Sequence, residues 1–299
     1  MMSARFLTVV LERAFNMRDG FGREIDYMRI SVIDSCNLNC YYCNPCDNNE
    51  HCHALNILSV KEVLCIVRAA TRLGIKHFRL TGGEPLLHPQ LDEMVLQIKK
   101  IPGVSSVSLT TNAVLLAQHA KWLKEAGIDS INVSMDTIDA SEYERITKKP
   151  LLEEVKHGIN AAIECGIRVK INVVLTPQTD VVALTRYVAK KGTDIRFIEM
   201  MPVGEGHTNG VEPYKKVIGT LSKLYGEPCR INTEKTKEIN SGNDKRKIPD
   251  NGPAEYYIFP ELGIRVGLIQ AIHGKFCDTC NRIRVTADGR LMPCLGSSV

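Results

Sequence analysis

From Met28 to about Met201 the chain repeats one pattern of apolar and polar positions. A stretch with helical spacing runs to a glycine, and a short β-rich run follows it. The glycines are Gly74, Gly103, Gly127, Gly166 and Gly192, and they introduce HFRLT, SVSLT, SINVS, VKINVVL and IRFIEM in turn. A glycine just past a helix supplies the left-handed residue that stops it. The β-rich runs read as near-continuous apolar strands, buried on both faces as in a parallel sheet. With Met28–Ile33 ahead of them they make six β/α units. Helix starts are marked as well: Ser59-Val-Lys-Glu62 fits a capping box before Val63–Leu73, and Asp180 is placed to cap a helix through Lys191. Six units are fewer than a closed eightfold barrel needs. The pattern therefore predicts an α/β fold, a partial (β/α)6 TIM-like barrel, with a doubly wound sheet as the alternative.

The pattern dissolves from Gly206 to Pro253. Glu234–Asp250 is polar and charged and reads as a flexible loop, after which Tyr256–Gln270 regains strand character. The expected organisation is an N-terminal extension over 1–26, the partial barrel over 27–205 and a C-terminal β-rich extension over 206–299. Active sites of such folds lie on the loops after the strands. The unusual residues gather there: Cys36–Cys43 after strand one, Thr81-Gly-Gly-Glu-Pro85 after two, Thr110-Thr-Asn112 after three, Ser134-Met-Asp136 after four and Met200–Gly204 after six.

Composition narrows the classes. Of 299 residues, 44% are hydrophobic, ample for a large core, and the net charge of +4 is too slight for a general nucleic-acid binder. No apolar run approaches the ~20 residues that span a bilayer, so no membrane anchor is expected. The first residues hold only a short apolar run, Phe6–Leu11, followed by Glu12 and Arg13, without the cleavage site of a secretory signal. Arg5, Arg13 and Arg18 suit an organellar presequence, whereas Glu12 and Asp19 oppose it; a cytoplasmic location is the expectation.

The eleven cysteines are clustered, five between Cys36 and Cys52 and three at Cys277, Cys280 and Cys294, which points to metal or redox chemistry rather than a disulfide scaffold. Cys36-x3-Cys40-x2-Cys43 supplies three thiolates to a four-iron cube that normally takes four. Three leave one iron open, able to chelate the amino and carboxylate groups of a methionine. Cys46 and Cys52 keep another reading open, a closed ferredoxin-like cluster or a zinc site. Cys65, Cys165 and Cys229 read as ordinary core or surface thiols. The last triad repeats the three-thiolate arrangement, with zinc as its alternative. Between its members Arg282 and Arg284 alternate on a strand, so both guanidiniums share a face, an arrangement suited to phosphate. Lys170, between Val169 and Ile171, is a lysine inside an apolar strand, rare unless paired.

Residues 36–43, with Tyr42 as the aromatic before the last cysteine, resemble the radical S-adenosylmethionine signature. Gly82-Gly83-Glu84 resembles the loop with which that family holds the methionine amino group. The C-terminal cysteines, the Arg-x-Arg pair and Gly252-Pro-Ala-Glu-Tyr-Tyr257 upstream resemble the GTP 3',8-cyclase family of molybdenum cofactor biosynthesis, and the similarity runs from Asp19-Gly-Phe-Gly-Arg23 to Leu295. The resemblance implies a radical lyase with two [4Fe-4S] clusters and S-adenosyl-L-methionine as cofactors, in which a 5'-deoxyadenosyl radical removes hydrogen from ribose C3' of GTP and the carbon radical attacks C8. It implies Cys36, Cys40, Cys43, Cys277, Cys280 and Cys294 as cluster ligands and Tyr42, Gly83, Ser134 and Met201 as S-adenosylmethionine contacts. Arg29, Arg79, Thr110, Lys170, Arg282, Ile283 and Arg284 would meet GTP, with no catalytic side chain beyond these. It further implies a flavodoxin- or ferredoxin-type reductant, a downstream cyclic pyranopterin monophosphate synthase and a monomer or homodimer.

The sequence departs from the family at Ser35 and Asn39, where arginines are usual, at Asn44 for methionine and at Ala113 for glycine. It also stops five residues past Cys294, where the family continues to a Gly-Gly tail, as expected of a truncated record or a short form. Two further readings stand beside the cyclase: a radical enzyme acting on a peptide or another small molecule, and a catalytically silent iron–sulfur protein.

Overall fold

The computed structural model describes residues 17–43, 56–202, 210–231 and 252–296. Cys46, Cys52, Asn44 and the polar stretch 234–250 lie outside them. Six strands, β1 (Tyr27–Ser31), β2 (His77–Thr81), β3 (Ser106–Thr111), β4 (Ser130–Ser134), β5 (Val169–Val174) and β6 (Asp194–Ile198), lie side by side in chain order, each pair parallel. Between them run α1 (Val60–Arg72), α2 (Leu91–Lys99), α3 (Leu116–Glu125), the pair α4 (Ala140–Thr147) and α5 (Leu152–Glu164), and α6 (Val181–Lys190). Ser59 and Glu62 close a capping box on α1, and Asp180 caps α6 through the Ala183 amide at 2.9 Å. The five joint glycines all have left-handed backbone, φ 63–92°. None of the helices is long and apolar enough to cross a membrane among the described residues.

The strands are not apolar on both faces. Side chains alternate: Met28, Ile30, Phe78, Leu80, Leu109, Ile131, Ile171 and Phe197 enter one continuous core beneath the helices. Arg29, Arg79, Thr110, Asn132, Lys170 and Arg196 face the other way, into a cavity. A doubly wound sheet would carry helices there; here the curled sheet carries a polar hollow, so a partial barrel is the architecture. Burial alone cannot separate the faces, because Lys170 and Arg196 are as inaccessible as core residues.

The C-terminal residues extend the same sheet at both edges. Two strands, β7 (Cys229–Ile231) and β8 (Glu255–Phe259), precede β9 (Ile264–Ile269), which pairs in parallel with β6, and β8 and β7 follow outward, antiparallel. On the opposite edge β10 (Arg282–Val285) pairs in parallel with β1, and β11 (Leu291–Met292) closes against it antiparallel. The pattern lost after Gly206 contains order too: α7 (Gly219–Tyr225), entered through a wider turn at Tyr214–Ile218, buries Val217, Ile218 and Leu221. Those apolar positions are too few, and too mixed with lysine, to stand out in the sequence.

Close packing of α5 brings Gly158 against the loop after β3. A Cβ there would lie 2.4 Å from the Ala113 carbonyl oxygen and 3.0 Å from Leu116 Cβ. Ala113 is itself left-handed at φ 65°, the conformation that glycine tolerates better. Gly158→Ala is therefore expected to destabilise by about 1–3 kcal/mol, read as a fall in Tm of roughly 2–10 °C. The gain that alanine gives at an unobstructed helix position would contradict this packing.

Candidate active site

The cavity, ≈ 350 Å³, is the hollow of the curled sheet. Register explains its floor. Arg29 of β1 stands level with Arg284 of β10 on one side and Arg79 of β2 on the other. Lys170 of β5 lies level with Asn132, and Arg196 of β6 with Asn172. Arg29 is half-buried with its Nε enclosed and unpartnered, and Arg196 is 5% exposed with Nε and Nη2 unpartnered. Burial, then the charges of Arg284 and Arg79, push the Arg29 guanidinium down to about 9. Burial also lowers Arg282 and Arg284. Orphaned, enclosed cationic donors are costly unless an anion meets them.

Other groups hold these cations in place. Arg79 donates through Nε to the Tyr27 hydroxyl and through Nη1 to Thr110 Oγ1 at 3.3 Å. The Tyr27 ring also lies under Arg282, at 5.4 Å. Lys170 Nζ sits 5.9 Å from the Tyr256 ring. Gly267 opposite Arg196 leaves the space its stem needs, since a Cβ would come within 2.7 Å of Arg196 Cγ. Ile283, between the two arginines, packs against the apolar core, so its side chain does not face the cavity.

The two cysteine triads occupy opposite ends. Cys36, Cys40 and Cys43 follow the C-terminal end of β1. Cys277 and Cys280 precede β10, whose first residue is level with Tyr27 at the start of β1, and Cys294 follows β11 back to that level. At ~3.3 Å per residue the ends are roughly 15–20 Å apart. None of the nine described cysteines is in a disulfide. Among the described residues no three His, Cys, Asp or Glu side chains converge on a single-ion site. Burial raises the thiols of the first triad, Cys40 to about 12, with Asp136 and the neighbouring cysteines adding to it. Three thiols within electrostatic reach of one another, on one loop and partly accessible, are a donor set that fits an iron–sulfur cube short of one ligand. Arg282 and Arg284 feel the charges of Cys280 and Cys294, which joins the second triad to the cavity floor.

The loops after β2, β3 and β4 brace the first triad. Gly82 and Gly83 press on the chain leading into Cys36: a Cβ would lie 2.2 Å from the carbonyl oxygen of Ile33 and of Ser35 respectively. Gly83 N donates to the Ile33 carbonyl and Glu84 N to that of Ser35, each at 2.8 Å. The Glu84 carboxylate, 1% exposed, accepts from Thr111 Oγ1 and Asn112 N at 2.7 Å each and from Leu86 N at 3.0 Å. Burial raises it while those donors pull the other way. Asn112 Nδ2 reaches Cys36 Sγ at 3.8 Å. Tyr42 donates its hydroxyl proton to Asp136 at 2.5 Å, and Asp136 also accepts from Val174 N at 2.8 Å. Ser134 is exposed and Met201 half-buried at the same end. Sequence reasoning passed over Arg196, Arg168, Asn172 and His77 on the cavity wall. The signal for Arg196 was the one used for Lys170, a cation inside an apolar strand.

The model of the Radical SAM superfamily matches residues 30–184, and that of Molybdenum Cofactor Synthesis C matches residues 193–299. A GTP 3',8-cyclase of Clostridium perfringens is 37% identical over 282 residues, covering 93% of this chain and 83% of the relative. One of Pelotomaculum thermopropionicum is 38% identical over 286 residues, 93% of this chain and 84% of the relative. Among solved structures, Streptococcus suis SuiB bound to its precursor peptide SuiA superposes with a TM-score of 0.63 at 15% identity. The match covers 97% of this chain, which spans 63% of the length of SuiB. Methylornithine synthase (PylB) gives 0.54 at 16% identity, covering 76% of this chain and 71% of that one. These structures share the fold.

Enclosure raises Asp136 from the ordinary 3.8 to about 6. A carboxyl raised in the fold costs nothing while protonated in both states. It costs stability as pH climbs from the unfolded to the folded value, and the cost is complete above the folded one. Asp136→Asn is therefore expected to gain about 2 kcal/mol over the parent as pH rises from 4.5 to 7.5, the rest of the cost being already present at pH 4.5. Thermal melting of the iron-free proteins checks this, and a difference independent of pH would contradict it.

Proposed function

The chain belongs to the radical SAM superfamily and, within it, to the GTP 3',8-cyclase family, and we infer that it converts GTP to 3',8-cyclo-7,8-dihydroguanosine 5'-triphosphate in molybdenum cofactor biosynthesis. One observation carries the substrate: five guanidiniums and an ammonium, Arg29, Arg79, Arg196, Arg282, Arg284 and Lys170, stand on or beside the floor between two cysteine triads. A peptide offers no comparable density of negative charge, whereas a triphosphate does. The reading gains from the curated relatives, which carry this activity in their names over nearly the whole chain.

In this reading Cys36, Cys40 and Cys43 hold one [4Fe-4S] cluster and Cys277, Cys280 and Cys294 a second. When bound, the first cluster with S-adenosyl-L-methionine supplies the 5'-deoxyadenosyl radical that takes hydrogen from ribose C3', and the second supplies an open iron for the purine. Gly83, Ser134, Met201 and the Tyr42 segment line the seat of S-adenosylmethionine. Asp136 fixes Tyr42, and Glu84 fixes the loops on either side, so the seat is set before the cofactor arrives. Arg29, Arg79, Lys170, Arg196, Arg282 and Arg284 draw in the triphosphate, and Thr110 steadies Arg79. With the purine at the β10 end and the cofactor at the other, the ribose lies between them, as attack of C3' on C8 requires. Tyr27 orients Arg79 and Arg282. Ile283 contributes through its backbone alone.

The reading extends to a flavodoxin- or ferredoxin-type electron donor, to delivery of product to a cyclic pyranopterin monophosphate synthase, to a cytoplasmic monomer or homodimer, and to a barrel over 27–205 completed by 206–299. Anaerobic incubation of the iron-loaded chain with GTP, S-adenosylmethionine and reductant should yield 5'-deoxyadenosine and cyclised nucleotide. Cys294→Ala should keep the first product and lose the second; Cys36→Ala should lose both. Arg196→Ala and Lys170→Ala should each raise KM for GTP roughly tenfold or more, the worth of a hydrogen bond to charge. Parental 5'-deoxyadenosine release by Cys36→Ala would refute the assignment.

A further inference from the structure

Residues 270–281 make a crossing that no strand pattern announces. They leave β9, which ends beside β6 at the mouth of the first cysteine triad, and enter β10, which starts beside β1 at the other end. The segment passes from one flank of the sheet to the other, and from one end of the cavity to the other, carrying Cys277 and Cys280. Hydrophobic packing does not seat it, since none of residues 271–280 is buried. Polar contacts at its ends must do so.

The far end is tied to the N-terminal strand region. Arg23 Nη1 donates to the Cys277 carbonyl at 2.6 Å, while Asp19 holds Arg23 through its Nε at 2.6 Å. Asn281 Nδ2 donates to Asp26 at 2.6 Å. The near end depends on one side chain. Glu199, just past β6 and 4% exposed, accepts from Ile272 N at 2.7 Å and His273 N at 3.1 Å through one oxygen, and meets His273 Nδ1 with the other. Its own amide donates to Ile269 O at 2.9 Å. The turn then folds tightly: a Cβ on Gly274 would sit 3.0 Å from Gln270 Cβ.

We propose that Glu199 is a positioning residue, the latch that seats the 270–281 crossing and so sets where Cys277 and Cys280 stand. A carboxylate taking two successive backbone amides and a ring nitrogen replaces the apolar packing that this exposed segment lacks. Glu199 also adjoins Met200 and Met201, so one residue links the mouth of the first triad to the carrier of the second. The consequence for the second cluster rests on the function proposed above; the latch itself does not.

Hydrogen–deuterium exchange of the iron-free protein tests the latch alone. In Glu199→Gln the amides of 270–281 should exchange roughly 10- to 100-fold faster, the worth of hydrogen bonds to charge, with β1–β6 unchanged. His273→Ala, which keeps both backbone amides on Glu199, should accelerate the same segment less. If Glu199→Gln loosens the whole sheet, the His273 variant decides, and acceleration confined to 270–281 supports the latch. Unchanged exchange of 270–281 in the variants overturns it. In the loaded protein, Glu199→Gln should drop from about eight irons per chain toward about four while still cleaving S-adenosylmethionine. Equal loss from both clusters, or full retention of both, contradicts the positioning role. A parent that never takes up the second four irons would instead refute the proposed function and leave the exchange result standing.

Discussion

Like charges crowded on the concave face of one sheet are the constraint from which the rest follows. Two unit charges 6 Å apart repel by about 3 kcal/mol at the effective dielectric of a partly buried site. Arg29, Arg79 and Arg284 share one register row, and burial, then the charges of Arg284 and Arg79, bring Arg29 down to about 9. The enclosed donors of Arg29 and Arg196 lack partners. A fold keeps such an arrangement at the expense of its own stability, so the compensation must come from what binds. A polyphosphate answers both deficits at once, supplying negative charge and acceptor oxygens.

The same sheet solves a problem of distance. Strand alternation gives it an apolar face for the helices and a polar face for the substrate, and parallel pairing puts the loops of β1–β4 at one end. Only by returning β10 alongside β1 does the chain bring a second set of thiols to the other end, a nucleotide's length away. The exposed crossing between β9 and β10 is the cost of that topology, and Glu199, Arg23 and Asp26 hold it where apolar packing does not.

What was legible in the sequence was local. Cysteine spacing, the glycine joints and the caps of α1 and α6 are each written within a few residues, and each recurs in the fold. The strand faces were misread because HFRLT and SINVS contain enough apolar residues to look continuous, although Arg79 and Asn132 occupy the alternate, cavity-facing positions. Arg196 was passed over inside IRFIEM for the same reason. The pairing of β9 with β6 and β10 with β1 joins residues far apart in the chain, and no local pattern encodes it. Gly83 shows a further limit: the motif suggested close approach to a cofactor, whereas its missing side chain also makes room for the backbone of Ser35.

If the cationic floor serves a triphosphate, calorimetry on the cluster-loaded protein should separate GTP sharply from guanosine. GTP should bind at least roughly a hundredfold more tightly, the worth of two or more charge-assisted hydrogen bonds, and its advantage should shrink as salt rises. Equal affinity for GTP and guanosine, unaffected by salt, would contradict the account.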